Sequence, residues 1–148
     1  MEEIAMNTSA RNVFHGTVVA VRPGAVNDEV ELRVEGGKTI VASITKASTE
    51  KLGIREGLEA MALIKASFVL LMTDADEYLL STRNQFSGTV SKVIPGMVNA
   101  EVQVEVPDGP GITAIVTMGS IEKLGIAPGK PVTAIVKAMN VILAVPKK

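Results

Sequence analysis

Six polar positions recur as pairs in this chain: Ser9 and Ser81, Arg11 and Arg83, Asn12 and Asn84, Thr45 and Thr117, Ser48 and Ser120, Lys65 and Lys137. Each set supplies hydroxyls, one guanidinium and one ammonium. That chemistry suits a fully deprotonated oxyanion. Hydroxyls and amides replace its hydration shell, and two cations offset its charge at roughly 4 kcal/mol per close pair at an effective dielectric near 20. It does not suit catalysis, because no nucleophile stands with an evident base. The expectation is therefore a binding protein, not an enzyme, with no catalytic residue and no metal held directly by side chains.

Each position also has a plainer reading. Lys65 sits in the apolar run Met61-Ala62-Leu63-Ile64-Lys65-Ala66-Ser67-Phe68-Val69 and, on strand alternation, shares a face with Met61, Leu63 and Val69. It is either a snorkelling or edge-protecting lysine, or a cation held in an apolar wall to meet an anion. Ser48 reads as a helix N-cap, and the helix start it opens is also a place for an anion. Thr45 would add a second hydroxyl there. Ser9-x-Arg11 is either ordinary surface or a hydroxyl and a cation just before the first strand. His15 has no counterpart in the second set, where Ser87 stands, and reads as an exposed or satisfied histidine.

The pairs arise from an internal repeat with a 72-residue period and no gaps. Phe14-x-Gly16-Thr17-Val18 aligns with Phe86-x-Gly88-Thr89-Val90. Pro23-Gly24-x-Val26-Asn27-x-Glu29-Val30 aligns with Pro95-Gly96-x-Val98-Asn99-x-Glu101-Val102. Glu50-Lys51-Leu52-Gly53-Ile54 aligns with Glu122-Lys123-Leu124-Gly125-Ile126. Two copies of one small domain are fused in tandem. The division is an N-terminal segment 1–8, a first domain 9–72, a short acidic linker 73–80 and a second domain 81–148.

Each copy must position its polar set on mostly β structure. Phe14 to Val21 is a β-branched run ended by the turn signal Pro23-Gly24. Val26 to Val34 alternates Val30, Leu32 and Val34 with Glu29, Glu31 and Arg33, the pattern of a half-buried strand. Gly36-Gly37, replaced by Asp108-Gly109 in the second copy, is a hairpin turn into a third strand over Ile40 to Ile44. A short helix follows, with Ser48 as N-cap, an acidic first turn and Gly53 as left-handed terminator. A long last strand then runs from Ala60 to Met72, and from Pro131 to Val145. The fold class is all-β with short helices, as two small OB-like β-barrels.

Composition narrows the function. Of the 148 residues none is Cys and one is His, which excludes disulfides, thiolate metal sites and His-rich centres. A 3% aromatic content and a net charge of −1 give the wrong surface for an OB module that stacks single-stranded nucleic acid, which is the alternative reading. The acidic start Met1-Glu2-Glu3-Ile4 and apolar runs far short of about 20 residues argue against a leader or a membrane span, so the expected location is the cytoplasm.

The ordered set Ser-Ala-Arg-Asn, Gly-Thr-Val, Pro-Gly-Ala-Val-Asn-Asp-Glu-Val, Ile-Thr-x-x-Ser, Leu-Gly-Ile-x-x-Gly and Ile-Lys-Ala-Ser resembles the Mop domain, a molybdate/tungstate-binding OB-like module. The tandem resembles the di-Mop proteins of molybdenum homeostasis. The resemblance implies molybdate or tungstate as ligand, no organic cofactor, and a homotrimer of two-domain chains; the composition and short apolar runs set the expectation of no nucleic-acid or membrane partner. It implies sites between neighbouring chains, where the Ser-Ala-Arg segment of one domain meets the Thr-x-x-Ser and Lys of another. By position these are Ser9, Ala10, Arg11, Thr45, Ser48 and Lys65, and Ser81, Thr82, Arg83, Thr117, Ser120 and Lys137. The second copy departs at Thr82, at Met118-Gly119 before Ser120, and at Met139-Asn140 after Lys137-Ala138. Neither a helix-turn-helix nor a phosphate-binding glycine loop is present in the chain.

Overall fold

The computed structural model describes residues 6–147, so the acidic start Met1-Glu2-Glu3-Ile4 lies outside the described residues. The two repeats build two five-stranded antiparallel sheets with matching element order. In the first repeat β1 (Asn12–Pro23), β2 (Asn27–Val34) and β3 (Thr39–Thr45) form a meander, α1 (Lys46–Leu52) follows, and β4 (Glu59–Ile64) returns beside β1. The second repeat has β6 (Gln85–Pro95), β7 (Asn99–Glu105), β8 (Ile112–Thr117), α2 (Met118–Leu124) and β9 (Pro131–Ile135) in the same roles.

Local sequence explains these elements. Along β2, buried Asp28, Val30, Leu32 and Val34 alternate with Glu29, Glu31 and Arg33, so one face enters the core. β1 shifts register between Val18 and Ala20, and β6 between Val90 and Lys92. Such a bulge bends the long strand so that its first half pairs with β4 and its second half with β2. Gly16 lies where the two pairings overlap, opposite both Val34 and Ala60, and a Cβ there would stand 2.4 Å from the Arg33 carbonyl oxygen. The short helix starts earlier than the sequence indicates. Thr45, not Ser48, is the N-cap, and its side chain accepts from the Ser48 N–H. Glu50 consequently falls outside the first turn, which carries no acidic residue. Gly53 does end the helix in the left-handed region, at φ 66°. The Ile54 N–H then bonds Thr49 O and the Gly53 N–H bonds Glu50 O, the paired bonds of a Schellman stop.

The expected long last strand is two strands. It breaks after Ile64, where Ala66–Phe68 make one 3-10 turn, and again after Ile135, where Ala138–Asn140 do the same. Each turn carries the chain across to the other repeat. β5 (Leu70–Met72) pairs with β9, and β10 (Val141–Ala144) pairs with β4. Each sheet therefore takes its fifth strand from the opposite repeat. Buried residues of both repeats form one continuous core that includes Leu32, Ile64 and Val69 with Val104, Val136 and Val141.

Two further contacts tie the repeats. The Asn12 carboxamide bonds both backbone groups of Thr113 on β8, at 2.8 Å each, and Asn84 does the same to Val41 on β3. The turns between β2 and β3 and between β7 and β8 abut, and Gly36, at φ 75°, has no room for a Cβ against the Asp108 carbonyl. No helix among the described residues is long and apolar enough to cross a membrane.

Candidate functional site

The strand exchange places the lysine of each repeat. In the second repeat Lys137 is the last residue before the 3-10 turn, and Ser81, Thr82 and Arg83 precede β6. Both segments meet at one surface cleft of about 240 Å³, whose lining also includes Glu29 and Val41 of the first repeat. The Thr82 hydroxyl donates to the Val136 carbonyl at 2.8 Å and accepts from the Asn84 N–H at 3.2 Å, which pins the Ser81–Arg83 segment beside Lys137. Asn84 anchors the same segment from below, since it is fully buried and bonded to Val41 on the cleft lining. A serine, an arginine and a lysine thus converge on one opening, beside Glu29 and the apolar Val41, Ala138 and Met139.

Both lysines are exposed, so of the two readings of Lys65 neither lysine is enclosed in an apolar wall within the chain. The chain leaves the strand at Ile64, so Lys65 does not continue the alternation with Met61 and Leu63. Its ammonium lies 5.6 Å from the Phe68 ring centroid. Asn140 stands where the first repeat has Phe68, so Lys137 has no ring at that place.

Neither site arginine stands alone. Arg11 grips the Glu101 carboxylate of the other repeat through both terminal nitrogens, Nη2 to Oε2 at 2.9 Å. The hydrogen bond to Arg11 holds the Glu101 carboxyl below its ordinary range, and Glu101 in turn raises Arg11. Arg83 contacts Glu29 through Nη2 alone and reaches Glu31 through Nη1 at 3.4 Å. Arg22 shares those two carboxylates, at 3.2 and 3.4 Å. Sequence reasoning read Glu29 and Glu101 as the solvent side of an alternating strand. The signal was nonetheless there, because both stand in the repeated Val-Asn-x-Glu-Val segment.

The remaining hydroxyls lie elsewhere. Thr45 and Ser48 form a pair at the start of α1, 2.9 Å between oxygens, and Thr117 and Ser120 repeat it at α2. Thr45 Oγ1 accepts from the Ser48 N–H and donates to Ser48 Oγ, which leaves the Ser48 hydroxyl proton for an outside acceptor. None of these four residues lines the cleft of Ser81, Arg83 and Lys137. In the second repeat the candidate residues therefore fall into two groups, Ser81 with Arg83 and Lys137 at the cleft, and the capping pair Thr117 and Ser120 outside it. Val26 and Val98, at the hairpin tips, are 74% and 72% exposed. Their carbonyls accept from the N–H of Lys46 and Met118, so these apolar tips adjoin the hydroxyl pairs. His15 pairs across β1 and β4 with Met61, where the second repeat has Ser87 and Thr133 bonded oxygen to oxygen at 3.0 Å. Among the described residues no group of three or more His, Asp or Glu could hold a metal ion.

Residues 8–71 and 80–143 each match the family described as the TOBE domain. The chain is 43% identical over 143 residues to the molybdenum-pterin-binding protein MopA of Rhodobacter capsulatus, a match spanning 97% of this chain and 54% of that protein. It is 43% identical over 145 residues to the molybdenum transport protein ModE of Azotobacter vinelandii, 98% of this chain and 53% of that protein. The chain thus spans about half the length of these curated relatives. Among solved structures it superposes with a TM-score of 0.91 on the cytoplasmic molybdate-binding protein ModG crystallised with molybdate, at 47% identity over 95% of this chain and 100% of that one. The two tandem OB-like domains expected from the repeat are the architecture these likenesses share.

Proposed function

Since the chain belongs to the TOBE-domain family, in its tandem Mop form, we propose that it binds and stores molybdate or tungstate as the intact oxyanion, in the cytoplasm, as part of molybdenum homeostasis. The observation that carries this reading is the convergence of Ser81, Arg83 and Lys137 on one cleft. A tetrahedral dianion there meets two cations and hydroxyl donors without any group that would attack it. The curated relatives named for molybdenum or molybdate binding, and ModG, match both repeats rather than one.

The complete site is assembled between chains. One chain holds the cation group and the hydroxyl pair apart, so the pair Thr45 and Ser48, or Thr117 and Ser120, reaches the anion from a neighbouring copy. The exposed valines beside those pairs support an intermolecular contact at that place, because apolar tips gain by being covered. The assembly is a homotrimer. On this reading the site residues are Ser9, Ala10, Arg11 and Lys65 with a Thr-x-x-Ser pair, and Ser81, Thr82, Arg83 and Lys137 with the other.

Native mass spectrometry with and without molybdate tests both parts at once, since it counts subunits and bound oxyanions. Three chains carrying molybdate that is not displaced by excess sulfate or phosphate is the expected result. A monomer, or heats of binding no greater than those of the sulfate and phosphate controls, would remove the proposal.

A further inference from the structure

Glu29 lines the same cleft as Arg83 and Lys137, so a carboxylate faces the place where an anion would sit. Its equivalent, Glu101, holds Arg11 through both terminal guanidinium nitrogens. We propose that Glu29 and Glu101 are affinity-setting residues of the two anion sites, each acting as an internal counter-anion that the incoming oxyanion must share its arginine with. The inference rests on the oxyanion-binding reading and adds these carboxylates, which that reading does not contain.

The carboxylate and the oxyanion compete for one guanidinium. A guanidinium paired to a carboxylate keeps its hydrogen-bond geometry but loses most of its net positive charge to its partner. A dianion entering the cleft is then attracted chiefly by the lysine and repelled by the carboxylate. The arginine stays in place between turnovers of ligand, and the site releases its anion more readily than an unopposed Arg–Lys pair would. The repulsion acts on every charge the ligand carries, so the carboxylate weakens a dianion by the square of the factor by which it weakens a monoanion of equal size.

The two sites are not equal in this respect. Arg83 has two carboxylates, Glu29 and Glu31, and Arg22 shares them. Among the described residues Arg11 pairs with Glu101, while Gln103 replaces the second carboxylate and Ile94 stands where the first repeat has Arg22. Gln103 donates to Glu101 at 3.3 Å instead. Removing the charge of Glu101 therefore frees its arginine wholly, whereas removing that of Glu29 leaves Glu31 within reach of Arg83.

Glu101→Gln and Glu29→Gln test this in the full chain, by calorimetry with molybdate and by displacement with perrhenate, a monoanion, at constant ionic strength. Glu101→Gln should tighten molybdate binding about tenfold and perrhenate binding about threefold. Glu29→Gln should give a smaller gain. If the carboxylates only orient their arginines, both glutamine variants will bind molybdate as the parent does or more weakly, and this inference falls while oxyanion binding stands. If the parent and all variants fail to bind molybdate, the oxyanion reading falls and takes the inference with it. A thermal melt of each variant shows that the affinities compare folded proteins.

Discussion

The carboxamide of Asn84 meets both backbone groups of Val41, accepting the Val41 N–H at 2.8 Å and donating to the Val41 carbonyl at 2.7 Å. β3 is the outer strand of its sheet, so this side chain takes the role of one more strand residue at that edge. Asn84 is fully buried, and truncation would leave two backbone groups without partners. Asn84→Ala should lower stability by roughly 2–4 kcal/mol, as orphaned buried donors and acceptors do. Asn84→Asp should do no better, because a buried carboxylate would face the Val41 carbonyl. Urea unfolding followed by circular dichroism measures both.

Thr45 and Thr117 each cap a seven-residue helix through the N–H three residues on. The capping bond is separable from the ligand. Thr45→Ala should cost about 1 kcal/mol of stability in the anion-free protein. Thr45→Ser keeps the cap and should restore it. A melt without molybdate reads the cap alone, and a shift of the same melt on adding molybdate reads the hydroxyl's part in binding. Loss of both in the alanine variant, with both returned by serine, is the expected pattern.

Asp28 is the one buried carboxylate of β2, and it accepts from the Lys46 ammonium at 2.8 Å. The hydrogen bonds to Lys46 and then Thr49 hold its carboxyl below the ordinary value, against the smaller upward push of desolvation. A carboxyl depressed on folding contributes stability that is present above its unfolded pKa, near 4, and is lost as pH falls through the lower folded value. Thermal stability should therefore drop on acidification below about pH 4, and Asp28→Asn should flatten that limb. The second repeat has Ala100 and Met118 at the equivalent positions, so the reciprocal substitution of Ala100 has no acid limb to remove. Melting temperature against pH for the parent and Asp28→Asn decides it.

Much of this fold could be read before the structure, because its signals are local. Alternation over Val30, Leu32 and Val34 and the Gly53 stop depend on near neighbours, and the repeat shows when the sequence is compared with itself. The helix start was misplaced by three residues because Thr45 and Ser48 are both capping types in the right spacing, and only backbone dihedrals say that Thr45 is the extended one. The broken last strand was invisible for a different reason. Leu63 to Met72 contains no Gly or Pro, and the turn at Ala66–Phe68 exists because Leu70–Met72 finds its partner in the other repeat. Such a partnership is a property of the whole chain. The site shows the same division. Its cations and hydroxyls stood out as repeated residue types, whereas Glu29 and Glu101 looked like solvated charges until the packing of the repeats set them against Arg83 and Arg11.

The exchange of β5 and β10 makes one repeat incomplete without the other. A chain ending at residue 75 keeps β1 to β4 but loses β10, and with it the buried Val141 and Leu143 that cover β4. Each such side chain contributes about 1.5–3 kcal/mol when fully buried. The lost strand also leaves one edge of β4 without hydrogen-bond partners, while β5 is left with nothing to pair against. Two copies of the fragment can satisfy both by placing each β5 on the other's β4, which reproduces the relation between the repeats. Residues 1–75 expressed alone should therefore behave as a dimer or a multiple of it, with a concentration-dependent melting temperature. Size-exclusion chromatography with light scattering measures this directly. A folded monomer of residues 1–75 would mean that β5 turns back onto its own β4, and that the 3-10 turn at Ala66–Phe68 does not commit the chain to crossing.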